Sequence, residues 1–436
     1  MTRIILDVDP ERVGKDADDD DFSVLLYAPS APKRGACIIG NDLREKFERL
    51  SIPPTALAVD LVSVAMAVTA ADTFVRREDE GDGWRRTLEL DLPVNDPATW
   101  TTLSADLAAT LGFLSGDTWS FSFRAGGLRP PTRRDVRARM KSIDPSKSDC
   151  VALFSGGLDS ALGVADLIDQ GRRPLLVSHA GHGDKSYQSA VSALLPKQMQ
   201  RFEFNSYPKS PYFTEITTRT RSFQFLAVGA LVAEALSQFR TGSRIDLNMC
   251  ENGLIALNPP LTPRRIGALS TRTAHPHYLA GVQRLLDGLG MQVQLVNPHR
   301  HETKGEMLAR RSAIAGIADF ASTTVSCGNW KRKGKQCGRC WPCSIRRAAF
   351  LRAGVADHTL YLANDITEVM QELAIRDDVV SIYAALRQRY DRNLKAWVMQ
   401  SGPLPMEAHE RAGCFGVVER GMDELEEYFA DQGLHV

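Results

Sequence analysis

Two stretches of this chain carry residue types at spacings that imply chemistry. The first is Phe154-Ser155-Gly156-Gly157-Leu158-Asp159-Ser160. An apolar run, Val151-Ala152-Leu153-Phe154, leads into it, and a helical apolar pattern, Ala161 to Ile168, follows it. Strand, glycine turn and helix in that order place a loop at a helix N-terminus, where unpaired N–H groups and the helix dipole favour an anion. Gly156 and Gly157 let a ligand approach the main chain. Ser155 and Ser160 add hydroxyls, and Asp159 adds a carboxylate that can hold Mg²⁺ against phosphate oxygens. This is not the G-x-x-x-x-G-K-[ST] spacing of Walker-type loops. The nearest approach to that spacing, Gly328 to Gly334-Lys335, has one residue too many and Gln336 where Ser or Thr is required.

The second stretch is Cys327, nine residues, then Cys337-Gly338-Arg339-Cys340-Trp341-Pro342-Cys343. Four thiolates with two C-x-x-C steps can close a tetrahedral Zn²⁺ site, and four protein ligands leave no open position, which fits a structural metal. Iron–sulfur clusters also use four cysteines. Lys331, Arg332, Lys333, Lys335, Arg346 and Arg347 surround the group and could meet phosphates. Other candidates stand alone. His179 and His182 are ligands, acid–base groups or satisfied loop histidines. Cys250 is a sulfur-transfer nucleophile or a buried structural thiol.

These residues need elements to position them. From Cys150 the pattern alternates strand and helix. The strands are Val151–Phe154, Leu175–Ser178, Arg201–Phe204, Ile245–Met249 and Val293–Val296, and Tyr187–Gln200 and Thr218–Phe239 are helical. Such alternation predicts a mainly parallel sheet covered by helices, with ligands at the carboxyl ends of its strands. That edge collects Ser155 to Ser160, His179 to Asp184, and Glu251-Asn252-Gly253. Residues 1–124 read as an α+β accessory domain without a catalytic constellation. An acidic run in it, Lys15-Asp16-Ala17-Asp18-Asp19-Asp20-Asp21, is a cation site or a solvated loop. Residues 125–149 read as a basic, Pro/Gly-broken linker that attracts phosphate or RNA or, the favoured alternative, forms a short solvated helix, residues 150–353 as the nucleotide domain, and 354–436 as a helical tail. In that tail Tyr390 and Trp397 share one face of a helix over Val379–Met399 and pack in a core.

Composition sets bounds. At 436 residues two or three domains are expected. Lys plus Arg and Asp plus Glu both number 53, so net charge gives no argument for nucleic acid, which stays possible but unfavoured. Ala56 to Val75 is apolar, but Asp60 and Asp72 interrupt it, so a packed helix is expected rather than a membrane span. Met1-Thr2-Arg3 runs into a strand-like Ile4-Ile5-Leu6 without a secretory pattern, so the cytosol is expected and clustered cysteines suggest metal rather than disulfides.

Ser-Gly-Gly-Leu-Asp-Ser resembles the pyrophosphate loop of the PP-loop ATP pyrophosphatases, which have an adenine nucleotide alpha hydrolase-like, Rossmann-like fold and cut ATP between the α and β phosphates. Combined with the later C-x9-C-x2-C-x2-C, Arg221-Ser222, Thr303-Lys304-Gly305-Glu306 and Arg346, it is similar to the 7-cyano-7-deazaguanine synthases (the QueC family). The resemblance covers roughly Asp149 to Ala353. It implies ATP, Mg²⁺ and Zn²⁺ as cofactors, with ATP held by Phe154, Ser155, Gly156, Gly157, Leu158, Asp159, Ser160, Ser178 and His179. Asp159 would be the Mg²⁺ ligand, and Lys304 and Arg221 would neutralise the departing pyrophosphate. Two departures bear on the substrate. His179 stands where the family has an acidic residue, and Asn258 to Thr262 with Thr273 to His277 replaces the family's substrate stretch. With its long ends the chain resembles the QueC-like components of bacterial Qat-type antiphage cassettes. That resemblance implies an ATP-dependent ligase joining a deazaguanine carboxylate to an amine of a partner protein from the same operon. The alternatives are a free synthase, a tRNA-thiolating enzyme and an ATP-sensing module without turnover.

Overall fold

The computed structural model describes residues 1–13, 22–28, 37–40, 42–80, 83–138, 143–181, 183–212, 214–262, 272–329 and 334–436. The acidic run 15–21, Asn41, Arg139, Lys141, His182 and residues 331–333 lie outside them.

Among the described residues, ten strands form two five-stranded sheets in which every strand pairing is parallel. In the first, β1 (Thr2–Asp7), β2 (Phe22–Leu26), β3 (Cys37–Ile39), β4 (Thr87–Val94) and β5 (Thr118–Ala125) take the order β3-β2-β1-β4-β5. In the second, β6 (Cys150–Leu153), β7 (Pro174–His179), β8 (Arg201–Phe204), β9 (Ile245–Asn248) and β10 (Val293–Val296) take the order β10-β9-β6-β7-β8. Both sheets start at their centre, wind to one side, and return past the centre to the other. The five strands expected from residue 150 onward are all present. The expectation of an α+β arrangement for residues 1–124 is corrected, because parallel neighbours need crossover connections. Helices Ala56–Phe74 and Pro97–Ser115 supply the crossovers that flank β4.

The sheets face each other across two layers of helix. Ala56–Phe74 packs on Arg221–Phe239, and Pro97–Ser115 packs on Pro276–Gly288. One hydrophobic core runs through both halves, from Ile4 in β1 to Val293 in β10. Ala56–Phe74 is apolar all round because it has protein on every side. It and Arg221–Phe239 are long and apolar enough to cross a membrane, yet both are mostly buried here. Asp60 inside the first of them accepts from the Asn95 backbone N–H at 2.8 Å and the Asn95 side-chain amide at 2.7 Å. Residues 125–149 hold a short helix, Arg133–Ala138, as the favoured reading of this stretch expected, and a 3₁₀ turn, Pro145–Lys147.

The tail forms a second core with the Trp341–Ala353 helix around a long last helix, Ala408–Asp431. The helix expected over 379–399 is two helices, Asp377–Gln388 and Leu394–Met399. Asn393 caps the second, so Tyr390 falls in the break. Trp397 is buried with its indole N–H donating to the Pro260 carbonyl at 2.8 Å, whereas Tyr390 is 68% exposed and donates to Glu426. The shared-face expectation fails for Tyr390 because a seven-residue spacing aligns side chains only on a continuous helix.

Candidate functional site

The glycine loop joins β6, the central strand of the second sheet, to the helix Leu158–Asp169. Gly156 has φ +77°, a region closed to most side chains, and a Cβ there would sit 2.9 Å from the Tyr187 ring. The loop is tied to itself and to its neighbours. The Gly157 N–H donates to Ser155 Oγ at 3.2 Å, Ser160 Oγ donates to the Gly157 carbonyl at 3.0 Å, and the Val325 N–H donates to the Gly156 carbonyl at 3.1 Å. Ser178 does not reach outward. Its buried hydroxyl donates to the Phe154 carbonyl at 2.8 Å and so fixes the loop from β7. Leu158 is fully buried beneath the loop.

β6 and β9 are neighbours whose chain connections leave in opposite directions, the crevice where sheets of this kind bind ligands. Across it Asp159 meets residues from two other segments. Asp159 Oδ1 lies 3.0 Å from Lys304 Nζ, and Oδ2 accepts from the Asn252 amide at 2.7 Å. Asp159 and Lys304 are each only 5% exposed. The loop aspartate is therefore a buried group in the first helical turn, not a surface one. Burial works against its charge, but Lys304 and hydrogen bonds from Glu251 and Asn252 outweigh burial and hold the carboxyl down at about 2. Glu251 moves the other way: burial first, then the Asp159 charge, raises its carboxyl well above the usual range. Burial and the neighbouring charge thus favour the neutral form of Glu251, while Lys304 favours the ionised form of Asp159. Glu251 and Asn252 were legible as residues at the sheet edge, but nothing in the sequence gave them this partnership.

Above this floor lies a cavity of about 340 Å³ bordered by Phe154, Ser155, Ser160, His179, Arg221 and Glu251. Its walls are mixed, with Phe204 and Phe225 among the apolar side chains. The His179 ring lies 5.1 Å from Phe204 and 5.3 Å from Phe225. Arg221, at the start of its helix, has a 44% exposed side chain 3.5 Å from Asp184. Thus Arg221 and Lys304 occupy different places: Arg221 on the cavity wall, Lys304 behind Asp159. Cys250 also borders the cavity, but burial pushes its thiol far up, which disfavours the thiolate a sulfur carrier needs. His275, from the stretch that departs from the family, is fully buried. Its ring accepts from the His277 N–H at 3.2 Å and lies 3.2 Å from Ser401 Oγ of the tail.

Cys327, Cys337, Cys340 and Cys343 place their sulfurs within 4.8 Å of one another. The Cys337–Cys343 and Cys327–Cys340 pairs are 3.9 and 4.0 Å apart. A tetrahedron with arms of about 2.3 Å has edges of about 3.8 Å, so the donor set fits Zn²⁺. Backbone N–H groups of Asn329 and Cys337 donate to Cys327 Sγ at 3.3 and 3.2 Å. Arg346 does not meet phosphates. It is fully buried and donates to Thr324 Oγ1 and the Ala321 carbonyl, both at 2.7 Å. The cysteine group and Arg346 together hold the 324–327 strip, whose Val325 supports Gly156.

A parallel sheet with a glycine loop at its switch point, a buried acid beside that loop and an adjoining four-cysteine group define a nucleotide-site α/β protein with a metal knuckle. No profile of a known protein family matches the chain. Curated proteins do. The 7-cyano-7-deazaguanine synthase of Thiobacillus denitrificans is 30% identical over 241 residues, covering 49% of this chain and 99% of that protein. Those of Stutzerimonas stutzeri and Methanoregula boonei are 27% and 26% identical over 99% and 98% of their lengths. The chain belongs to the 7-cyano-7-deazaguanine synthase family, and about half of it has no counterpart in these relatives.

Proposed function

We propose that the protein is an ATP-dependent ligase of the AMP-forming kind. It adenylates a 7-carboxy-7-deazaguanine-like acid and passes the acyl group to an amine. The carboxylate oxygen attacks the α-phosphorus of ATP, the α–β bond breaks, and pyrophosphate leaves. The amine then attacks the acyl carbon, AMP departs with its oxygen, and one proton is released. The observation that carries this is the glycine loop closing over Asp159, kept ionised at neutral pH by Lys304. An ionised Asp159 suits Mg²⁺ bound to phosphate oxygens, and Arg221 on the cavity wall suits charge developing on pyrophosphate. When bound, Zn²⁺ would sit on the four cysteines in a structural role. All eight cysteines are free thiols, which fits a reducing cytosol.

We further propose that the amine belongs to a partner protein of an antiphage cassette. This rests on the half of the chain beyond the relatives' length and on the Qat-type resemblance. A docked amine replaces a high free concentration, since oriented groups reach effective molarities of roughly 10⁵ M or more. The relatives' names favour a second reading, a free synthase that uses ammonia. The two separate by intact mass spectrometry. Protein, ATP, Mg²⁺, 7-carboxy-7-deazaguanine and the product of a neighbouring gene should yield that partner heavier by the acid less water. Conversion of the acid and ammonia to nitrile at full speed, with no partner gaining mass, selects the synthase. Release of ADP and phosphate rejects both.

Lys304→Met tests the chemistry directly. It should lower kcat by about 10²-fold and change KM for ATP little, because the charge it sets matters most as pyrophosphate departs.

A further inference from the structure

The parts of this chain that the relatives lack do not stop at the domain surface. Each sends one buried carboxylate to the first turn of a helix that carries a site cation. In the tail this is Glu424, on Ala408–Asp431. It is 5% exposed, accepts from the Thr303 hydroxyl, and accepts from the Gly305 N–H at 3.3 Å. Thr303 is the N-cap of the short helix Lys304–Ala309, whose capping box also uses Glu306. Arg420, one turn earlier on the same tail helix, grips the same cap, donating to Glu306 at 2.5 Å and to the His301 carbonyl at 2.7 Å. A Cβ on Gly305 would collide with the Glu424 carboxylate, so the approach requires glycine.

The N-terminal region does the same with Asp72, on Ala56–Phe74. Asp72 Oδ2 accepts from the backbone N–H groups of Arg219 and Thr220 at 2.6 and 2.8 Å and from the Thr220 hydroxyl at 2.9 Å. Thr220 is the N-cap of Arg221–Phe239. Asp72 is itself fixed by Arg86 at 2.5 Å and Arg77 at 3.3 Å, and both arginines also bind the buried Asp117. A carboxylate that satisfies several orphan N–H groups sets where a helix begins and the direction in which its first residues point.

We propose that Glu424 and Asp72 are positioning residues for the reaction, Glu424 acting through Lys304 on Asp159 and Asp72 acting through Arg221. The two end regions thereby complete the site from outside the domain shared with the relatives. The inference rests on the functional reading above for the roles of Lys304 and Arg221. A side chain that merely stabilises the fold lowers the amount of folded enzyme. A positioning side chain loses its effect once the group it positions is gone.

The test is a pair of double-mutant cycles on the full-length protein, read as AMP formed from labelled ATP with Mg²⁺, 7-carboxy-7-deazaguanine and an amine acceptor, supplied both as ammonia and as the product of a neighbouring gene. The cycles are Glu424→Gln with Lys304→Met and Asp72→Asn with Arg221→Met. The crossed pair, Glu424→Gln with Arg221→Met, serves as control, and Tm is measured for every variant. Glu424→Gln should lower kcat about tenfold with KM for ATP within about twofold, and should cost less than about threefold once Lys304 is Met, whereas the crossed pair multiplies. Phe429→Leu, buried on the same tail helix, should lower Tm without changing kcat per folded molecule. Effects that multiply in the matched cycles overturn the proposal. If Asp72→Asn does not fold, the Glu424 cycle decides alone, since glutamine keeps the acceptor for Thr303. Wild-type rates in both Lys304→Met and Arg221→Met, or a wild-type protein that forms no AMP, sink the functional reading instead, and the cycles then have nothing to position.

Discussion

The two sheets of this protein have the same strand order, the same central first strand and the same parallel pairing, yet among the described residues their carboxyl ends differ in chemistry. At the end of β6 the chain makes a glycine loop beside a cavity of about 340 Å³. At the end of β1 it makes Asp7, whose own carboxylate accepts from the next two N–H groups, Val8 at 2.8 Å and Asp9 at 2.9 Å, and pairs with Arg124 at 2.9 Å. Beside β4, Asp60 takes the N–H groups of Asn95 and Asp96. The first sheet thus fills its sheet-end donors with its own acids, and the second keeps a buried acid pair next to open space. Topology offers the place in both, and loop chemistry decides which one is used.

The largest effect is expected at the four-cysteine group, which adjoins the second sheet. Zinc should copurify at one atom per protomer. Its removal by a chelator, or Cys340→Ser, should strip hydrogen-exchange protection from residues 321–329 and 334–363, including the Val325 N–H that donates to the Gly156 carbonyl, while β1, β4 and β5 stay protected. Binding of about 10–16 kcal/mol in zinc-finger peptides is an upper guide to the stability at stake. Iron and sulfide in elemental analysis would reject zinc, and uniform loss of protection would erase the contrast between the sheets.

Next comes the pair Asp159→Asn and Asp60→Asn. The first should lower AMP formation by at least ~10³-fold. Asparagine is the informative choice because its amide oxygen still accepts from the buried Lys304, whereas alanine leaves that cation without any partner, which costs about 3–5 kcal/mol by itself. Asp60→Asn should cost about 1–3 kcal/mol of stability, since one of the two acceptor oxygens becomes an NH₂ group facing backbone donors, and leave kcat unchanged. Equal loss of activity in both would show that the sheets are not divided as described.

The smallest effect sharpens how the tail joins the second sheet. Burial raises the Glu424 carboxyl from 4.5 to about 7. A raised acid binds its proton more tightly when folded, so stability falls as pH climbs from the unfolded value through 7 and recovers on acidification. Between pH 8 and pH 5.5 wild type should gain about 2 kcal/mol relative to Glu424→Gln by denaturant titration. A parallel pH dependence in the two proteins would place Glu424 in water rather than against Thr303.

Much of this was legible in the sequence, and the reasons are local. Ser155 to Ser160 and the four cysteines lie close in the chain at spacings that only a few geometries satisfy, so loop, helix and knuckle follow from short-range rules. The five strands after residue 150 follow from apolar runs of the right length, and the Ala56–Phe74 helix from a long apolar stretch that only Asp60 and Asp72 interrupt. What only the tertiary structure decided involves partners far apart. Asp159, Glu251 and Lys304 come from three segments, and the opposite shifts of the two acids depend on burial that no spacing encodes. Asp72 and Glu424 read as an interruption in an apolar helix and as one of several acids near the end of the chain. Each reaches its helix cap across about 120 to 150 positions. The parallel pairing of the first sheet and the break that exposes Tyr390 depend likewise on crossovers and caps set by packing, because a strand's neighbours and a helix's end are chosen by which surfaces must be covered.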